Sequence, residues 1–192
     1  MNRKAAIGVF LLLMGSAGVI YGVIRAGWYP VAVVNSELVS TRLFQRELDA
    51  AFSYYTKTIL KDGNLPTNSE DLLRELRRAV LDDLIEKKII RQLARQEVGD
   101  RLPALVEDKI GFLDGNGNKV PEAVQSLYGM TLEEFRELVM IPEAERVILK
   151  DWLFADQKEG EFTHYLDEQR KKASVYVFSD LLTWRDGKIQ SK

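Results

Sequence analysis

Cysteine is absent from this sequence of 192 residues, and histidine occurs only once, as His164. Without cysteine the chain has no disulfide framework, no thiolate nucleophile and no cysteine-based zinc site. His164 would need partners to act as a metal ligand or a general base, and the sequence shows no Ser/His/Asp or His/Glu constellation. We therefore expect no catalytic residue, no metal site and no bound cofactor, and we interpret His164 as an exposed residue of a helix.

Glycine-rich phosphate loops are absent as well. The segment DGNGN at 114–118 resembles the start of a calcium loop, with side-chain oxygens at its first, third and fifth positions. An EF-hand needs glycine at its sixth position and glutamate at its twelfth, where this chain has Lys119 and Gln125. We interpret the segment as a turn between helices.

Charge is missing from the run AAIGVFLLLMGSAGVIYGVI at 5–24. A transmembrane helix needs about 20 apolar residues. Arg3 and Lys4 precede the run and favour an amino terminus kept in the cytoplasm, and the aromatic pair at 28–29 follows where interfacial rings are expected. We predict that residues 1–27 form a short cytoplasmic tip and a transmembrane signal anchor.

A cleaved signal peptide is the alternative interpretation of this segment. Signal peptides have an apolar core of about 7–15 residues and a small-x-small cleavage site. The present run is longer, and RAGWYP at 25–30 offers no convincing site. Gly18 and Gly22 form a G-x-x-x-G pair, a pattern that can mark a helix dimer. The sequence is therefore also compatible with a homo-oligomer.

Residues 28–192 then form one extracytoplasmic domain. They carry all 29 acidic residues but only 24 of the 27 basic ones, a net charge of −5. Nucleic-acid phosphates require a basic surface, so we expect no nucleic-acid partner. The sequence predicts a single-pass protein of the inner, or cytoplasmic, membrane with its bulk on the periplasmic side.

The extracytoplasmic part is predicted to be mainly α-helical. Apolar spacing and breakers predict helices at about 41–60, 70–98, 103–112, 131–140, 142–156 and 161–172. The helix at 70–98 carries an apolar stripe, at spacings of three and four, that is typical of a core-facing helix: Leu72, Leu73, Leu76, Val80, Leu84, Ile85, Ile89 and Leu93. Thr131 and Glu134 form a capping box, and Pro142 suits the first turn of a new helix. The segments 61–70 and 113–122 are predicted loops.

Two segments have strong strand signals, Val31–Val34 and Ser174–Phe178. Asn35-Ser36 is predicted to turn the chain from the first strand into the first helix. Neither strand has another plausible partner, so we predict a small two-stranded sheet that pairs the two ends of the helical domain. A short hairpin at 183–189 could follow, turning through Asp186-Gly187.

Three segments resemble the SurA/PrsA/PpiD group of extracytoplasmic folding factors. They are VAVVNSELVSTRLFQREL from residue 31, LRRAVLDDLIEKKIIRQLARQEVG from residue 76 and YGMTLEEFRELV from residue 128. They occur in the order found in that group, over about 31–153. Ser36 replaces the group's usual glycine, so that Asn35 must adopt the left-handed turn alone. The resemblance implies a SurA-N-like, chaperone-like helical domain.

Many members of that group also carry a parvulin-type prolyl isomerase domain. Only 14 residues follow Phe178, too few for such a domain, and parvulin sites resemble one another in using histidines. The resemblance therefore implies a member without isomerase activity, which binds unfolded or exported polypeptides without catalysis.

Flexible methionines and amphipathic tyrosines suit a groove that accepts varied sequences. We therefore name a set of candidate peptide-binding residues near helix ends and loops: Tyr54, Tyr55, Phe112, Tyr128, Met130 and Met140. Ordinary core positions are the alternative for each. Two functions remain open, a membrane-tethered holdase for many clients and an interaction module that recruits one dedicated secretion or folding partner.

Overall fold

Short strands and longer helices make up the part of the chain that this computed structural model describes, residues 29–58, 69–114, 120–154 and 159–192. The strands are β1 (Pro30–Val34), β2 (Glu37–Ser40), β3 (Val175–Val177), β4 (Leu182–Arg185) and β5 (Lys188–Ser191). The helices are α1 (Thr41–Thr58), α2 (Ser69–Val98), α3 (Leu102–Asp114), α4 (Val120–Tyr128), α5 (Leu132–Phe135), α6 (Ile141–Phe154) and α7 (Glu159–Lys172). A 3-10 turn (Gly99–Arg101) joins α2 to α3, and a π-helical segment (Arg136–Met140) joins α5 to α6.

The predicted class, mainly helical with a small antiparallel sheet, is confirmed for these residues. The predicted membrane anchor at 5–24 lies outside them, as does most of the turn at 114–118. Among the helices that are described, none has both the length and the apolar character needed to cross a bilayer.

The two ends of the domain pair with each other, as the sequence predicts. β1 runs antiparallel to β3, with Val33 opposite Tyr176. The prediction of two strands is wrong, because β2 also pairs with β1 and the sheet has the order β2–β1–β3. Residues 37–40 thus complete a hairpin before the first helix begins at Thr41.

The conformation of the Asn35-Ser36 turn explains why residues 37–40 form a second strand. Asn35 has φ +48° and Ser36 has φ +75°, and positive φ at both central residues is what a two-residue hairpin turn of type I′ requires. The prediction that Asn35 adopts the left-handed conformation alone is therefore wrong. The Asn35 side chain stabilises the turn, because its Oδ1 accepts from the Ser174 N–H at 2.8 Å and its Nδ2 donates to Gln92 Oε1 at 2.9 Å.

The long helix α2 contributes to both large clusters of the core. Its middle part packs with the sheet, α1 and the C-terminal strands, where Leu81 and Ile85 are fully buried. Its last turns pack with α3, α6 and α7, where Ala94 is fully buried and Phe162 nearly so. The apolar stripe predicted along this helix explains why one helix can serve two clusters.

The helix α4 is absent from the prediction, which assigned its first residues to a loop. Glycine, asparagine and proline at 115–121 are loop signals, but Pro121 is the second residue of the helix, where a missing N–H costs nothing. A third, smaller cluster forms here, in which Val124 and Met130 are buried against Ala50 of α1.

Pro142 lies in the first turn of α6, as predicted, but no loop precedes this helix. The π-helical segment runs directly into α6, and Pro142 is the second residue of α6. Proline cannot donate to the carbonyl four residues earlier, which belongs to Leu138. The Lys87 ammonium of α2 donates to that carbonyl at 3.1 Å.

The predicted capping box is confirmed, with the Thr131 hydroxyl accepting from the Glu134 N–H and the Glu134 carboxylate accepting from the Thr131 N–H. Arg46 of α1 also donates to Glu134, from Nε at 2.8 Å and Nη2 at 2.6 Å. These bonds from Arg46, followed by those from Thr131, lower the pKa of Glu134 to about 2. The pair ties α1 to the start of α5.

The predicted hairpin at the C-terminus is also confirmed. β4 and β5 pair antiparallel around Asp186 and Gly187, both with positive φ. Arg170 of α7 donates to the Gly187 carbonyl at 2.8 Å, and its guanidinium lies 5.5 Å from the ring centroid of Trp184. These contacts hold the hairpin against the helices.

Candidate functional site

The candidate peptide-binding residues named from the sequence do not form one surface. Tyr54 and Tyr128 meet, with parallel rings whose centroids are 5.3 Å apart. Met130 lies beneath them at 1% exposure and belongs to the core. Met140 is half-buried and packs against the cluster formed by α2, α3, α6 and α7. Tyr55 is half-buried on α1, and the Phe112 side chain lies outside the described part of the chain.

The tyrosines are part of an aromatic cluster in which Tyr54 stacks on Tyr128, and Phe135 lies tilted by 42° against Tyr128. The Tyr128 and Phe135 centroids are also 5.3 Å apart. Next to the stack, the Ser53 hydroxyl donates to the Leu127 carbonyl at 3.0 Å, and the Lys57 ammonium donates to the Ser126 carbonyl at 2.7 Å. The cluster joins α1 to α4, and Tyr54 keeps 40% of its surface exposed.

A different apolar surface is open to a ligand. It is a groove of about 360 Å³ between the first turns of α2, the start of α1 and the segment that precedes β4. We call it the α2 groove. Its lining residues are Val31, Phe44, Glu70, Leu73, Arg74, Arg77, Leu81, Ser179, Leu181 and Leu182.

The floor of the α2 groove is apolar and fixed. Phe44, Leu81 and Leu182 are buried members of the core cluster, so their positions are set by packing on their other sides. Leu181 stands at the edge and is 59% exposed. An apolar ligand in the groove would cover this side chain and remove its area from water.

Charged groups occupy the rim of the groove rather than its floor. Arg74 and Arg77 are exposed one turn apart on α2, and Glu70 lies one turn before Arg74. The Arg74 guanidinium is 3.6 Å from the Asp71 carboxylate, a pair in which both side chains are more than half exposed. Such a pair contributes little to stability, so the guanidinium can reorient toward the carbonyl or carboxylate groups of a bound chain.

The sequence contained a signal for this groove that the prediction did not use. Leu73 belongs to the stripe that the sequence assigns entirely to the core, and it is only half-buried. Leu181 and Leu182 are adjacent, so that only one of them can face the core of a strand. Both observations are compatible with ordinary core packing as well, and only the tertiary structure places the residues along one groove.

The arrangement supports binding rather than a specific reaction. Its lining combines an aliphatic and aromatic floor with two guanidinium groups and one carboxylate at the rim, which suits an extended polypeptide with apolar side chains. Within the described ranges, no group of three or more His, Asp or Glu residues could hold a metal ion. His164 is exposed on α7, as predicted.

The comparisons with known proteins found nothing similar: no family model matches the chain, and it has no significant match among curated proteins or among solved structures.

Proposed function

We propose that this protein is a membrane-anchored, extracytoplasmic holdase that binds apolar segments of unfolded or exported polypeptides in the α2 groove. The observation that carries the proposal is the open apolar floor of the groove, with Leu181 exposed at its edge. A leucine-sized side chain that enters such a site gains about 1.5–3 kcal/mol from leaving water, before the cost of ordering the client is subtracted. Binding of this kind tolerates many sequences.

The resemblance to the SurA/PrsA/PpiD group supports the same function. Its three motifs occur in order along the chain. The first motif covers β1, β2 and the start of α1, the second covers most of α2, and the third covers α5 and the π-helical segment. The pairing of β1 with β3 closes the helical region in the way that a domain of this group would require.

The predicted membrane anchor would localise the holdase to the membrane surface. The uncharged run at 5–24 would keep the groove close to the membrane, and tethering raises its concentration relative to chains that emerge there. No ATP and no covalent step is needed for this function, because clients bind and leave by reversible burial of apolar surface.

The test uses the full chain in lipid nanodiscs, with empty nanodiscs as the control. We expect it to delay the aggregation of an unrelated denatured protein at near-stoichiometric ratio. We expect Leu181→Asp to lose most of this protection, because it places a charge at the edge of the groove. The matched variant Leu105→Asp replaces a leucine on α3 that is 36% exposed and lies outside the groove, and it should protect as the natural chain does.

Equal protection by the two variants would contradict the assignment of the groove. A chain that protects no client but binds one native protein tightly would instead be the recruitment module, the second function that the sequence leaves open. The same sample is expected not to accelerate prolyl isomerisation in a peptide, and an acceleration would contradict the proposal of binding without catalysis.

A further inference from the structure

The three-stranded sheet has an apolar outer face, turned away from the core. Successive side chains of a strand point to opposite faces, and Ala32 and Val34 point inward with no exposed surface. Val33 between them points outward. It lies opposite Leu38 of β2 on one side and opposite Tyr176 of β3 on the other, so these three side chains form one row across the outer face.

This face is exposed in the described part of the chain. Leu38 is 56% exposed, Tyr176 67% and Phe178, which lies two residues beyond Tyr176, 60%. An antiparallel sheet with one face in water normally alternates between apolar and polar residues. Strand β1, PVAVV, is apolar throughout, which is the pattern of a strand covered on both faces. Exposed apolar patches of this kind mark interaction sites.

The position of the sheet in the chain indicates what covers it. β1 begins at Pro30, and the uncharged run ends at residue 24. The six steps from residue 24 to Pro30 can span at most about 22 Å, at about 3.6 Å per residue. If the run crosses a bilayer, the sheet cannot be farther than this from the end of the membrane-spanning segment, which is within reach of the headgroup layer.

The residue types of the face fit that layer. Tyrosine, with an apolar ring and a polar end, is enriched at the boundary between headgroups and acyl chains, and phenylalanine and leucine bury into it. Basic residues lie at both ends of the face. The Lys192 ammonium donates to the Ser179 carbonyl at 2.6 Å, and Arg42 is exposed beside Thr41, whose N–H donates to the Tyr29 carbonyl at 2.9 Å.

An acidic group is present there too, since Asp180 is exposed next to Ser179. The charges at this face are therefore mixed, and apolar burial supplies most of its affinity for lipid. Such binding should occur on zwitterionic lipid and depend little on salt.

We propose that the outer face of this sheet, carried by Leu38, Tyr176 and Phe178, docks onto the headgroup layer of the membrane that the N-terminal run enters. This inference rests on the anchor of the proposed function. Docking holds the domain in one orientation, and because Leu181 follows Phe178 by three residues, it places the edge of the α2 groove next to the membrane surface. The groove would then meet exported chains as they leave the bilayer.

The absence of cysteine from the chain makes a direct test possible. The full chain is reconstituted into vesicles of phosphatidylcholine, with and without phosphatidylglycerol, after a single nitroxide label is attached to Leu38→Cys, Tyr176→Cys or Leu105→Cys. Collisions of the label with oxygen, which concentrates in lipid, are compared with collisions with a water-soluble nickel complex. Leu105 on α3 is the exposed control, and thermal unfolding by circular dichroism verifies that each variant is folded.

We expect the ratio of oxygen to nickel collisions to be severalfold higher at positions 38 and 176 than at position 105, in both lipid mixtures. Equal ratios at all three positions, in chains that sediment with the vesicles, would overturn the docking and leave the anchor intact. Labels at 38 and 176 that become shielded from both reagents as protein density rises would show that a second copy covers the face, and this would also overturn it. Chains that do not sediment with vesicles would overturn both the docking and the anchor.

Discussion

At the scale of single residues, Arg170 has the most consequential set of contacts. Its side chain is 7% exposed and forms ion pairs with Asp82, at 2.7 Å, and with Glu86 of α2. It also donates to the backbone of the C-terminal hairpin at Gly187. Burial acts against the charge of Arg170, but the hydrogen bond and charge of Asp82, followed by Glu86, outweigh burial, so that the pKa of Arg170 is raised. One guanidinium thus joins α7, α2 and the hairpin.

We expect Arg170→Met to lower the free energy of unfolding by about 3 kcal/mol, because the Asp82 carboxylate would stay partly buried without a cation and Glu86 would keep only its pair with Arg146. The neighbouring variant Lys171→Met is the control, since Lys171 pairs with Glu168 on the surface and its loss should leave the stability close to that of the natural chain. Denaturation by urea, followed by circular dichroism, measures both values. Two variants of equal stability would contradict the role given to Arg170.

At the scale of elements, the ladder between β1 and β3 closes the domain. The Asn35 N–H donates to the Ser174 carbonyl and the Phe178 N–H to the Val31 carbonyl, both at 2.9 Å. Hydrogen-bonded pairs recur at every second residue of an antiparallel ladder, so Val33 and Tyr176, midway between these bonds, form such a pair. Their side chains point outward, and the contribution of this pair to stability comes from the backbone.

Tyr176→Pro should therefore lower the free energy of unfolding by several kcal/mol, about 3 by analogy with proline inside other regular structure. Tyr176→Ala keeps the N–H and removes only a side chain that is 67% exposed, and in detergent it should change the stability by at most about 0.5 kcal/mol. Thermal unfolding of the two variants separates the contribution of the backbone hydrogen bond to stability from the contribution of the side chain. Equal melting temperatures for the proline variant and the natural chain would disprove the closing role of the ladder.

At the scale of the whole molecule, the proposals require that residues 28–192 lie outside the cytoplasm and stay attached to the membrane. An alkaline phosphatase reporter fused after Lys192 should be active, because this enzyme needs an oxidising compartment. The fusion should be found in the membrane fraction at its full length. A shortened and soluble product would show that the segment at 5–24 is a cleaved signal, and an inactive reporter would place the domain in the cytoplasm.

Local patterns in the sequence determined much of the fold. The stripe along α2 predicted its bounds almost to the residue, because a helix that packs on one side must repeat its apolar residues every three or four positions. The box of Thr131 and Glu134 and the Asp186-Gly187 turn were likewise predicted, since caps and hairpin turns depend on residues close together in the chain. The pairing of Val31–Val34 with the strand near residue 176 followed from the lack of other partners.

Only the tertiary structure decided where long-range contacts override local signals. Pro142 lies in a helix that continues from the π-helical segment, and Lys87, distant in sequence, donates to the Leu138 carbonyl four residues before the proline. Met130 and Tyr128 were candidate ligand-binding residues, but helix α4 brings them against α1, where the methionine is buried and the tyrosine stacks on Tyr54. The α2 groove combines residues from the first and last described segments of the chain with residues from α2. Its shape depends on how three separate elements pack, which no local pattern of residues encodes.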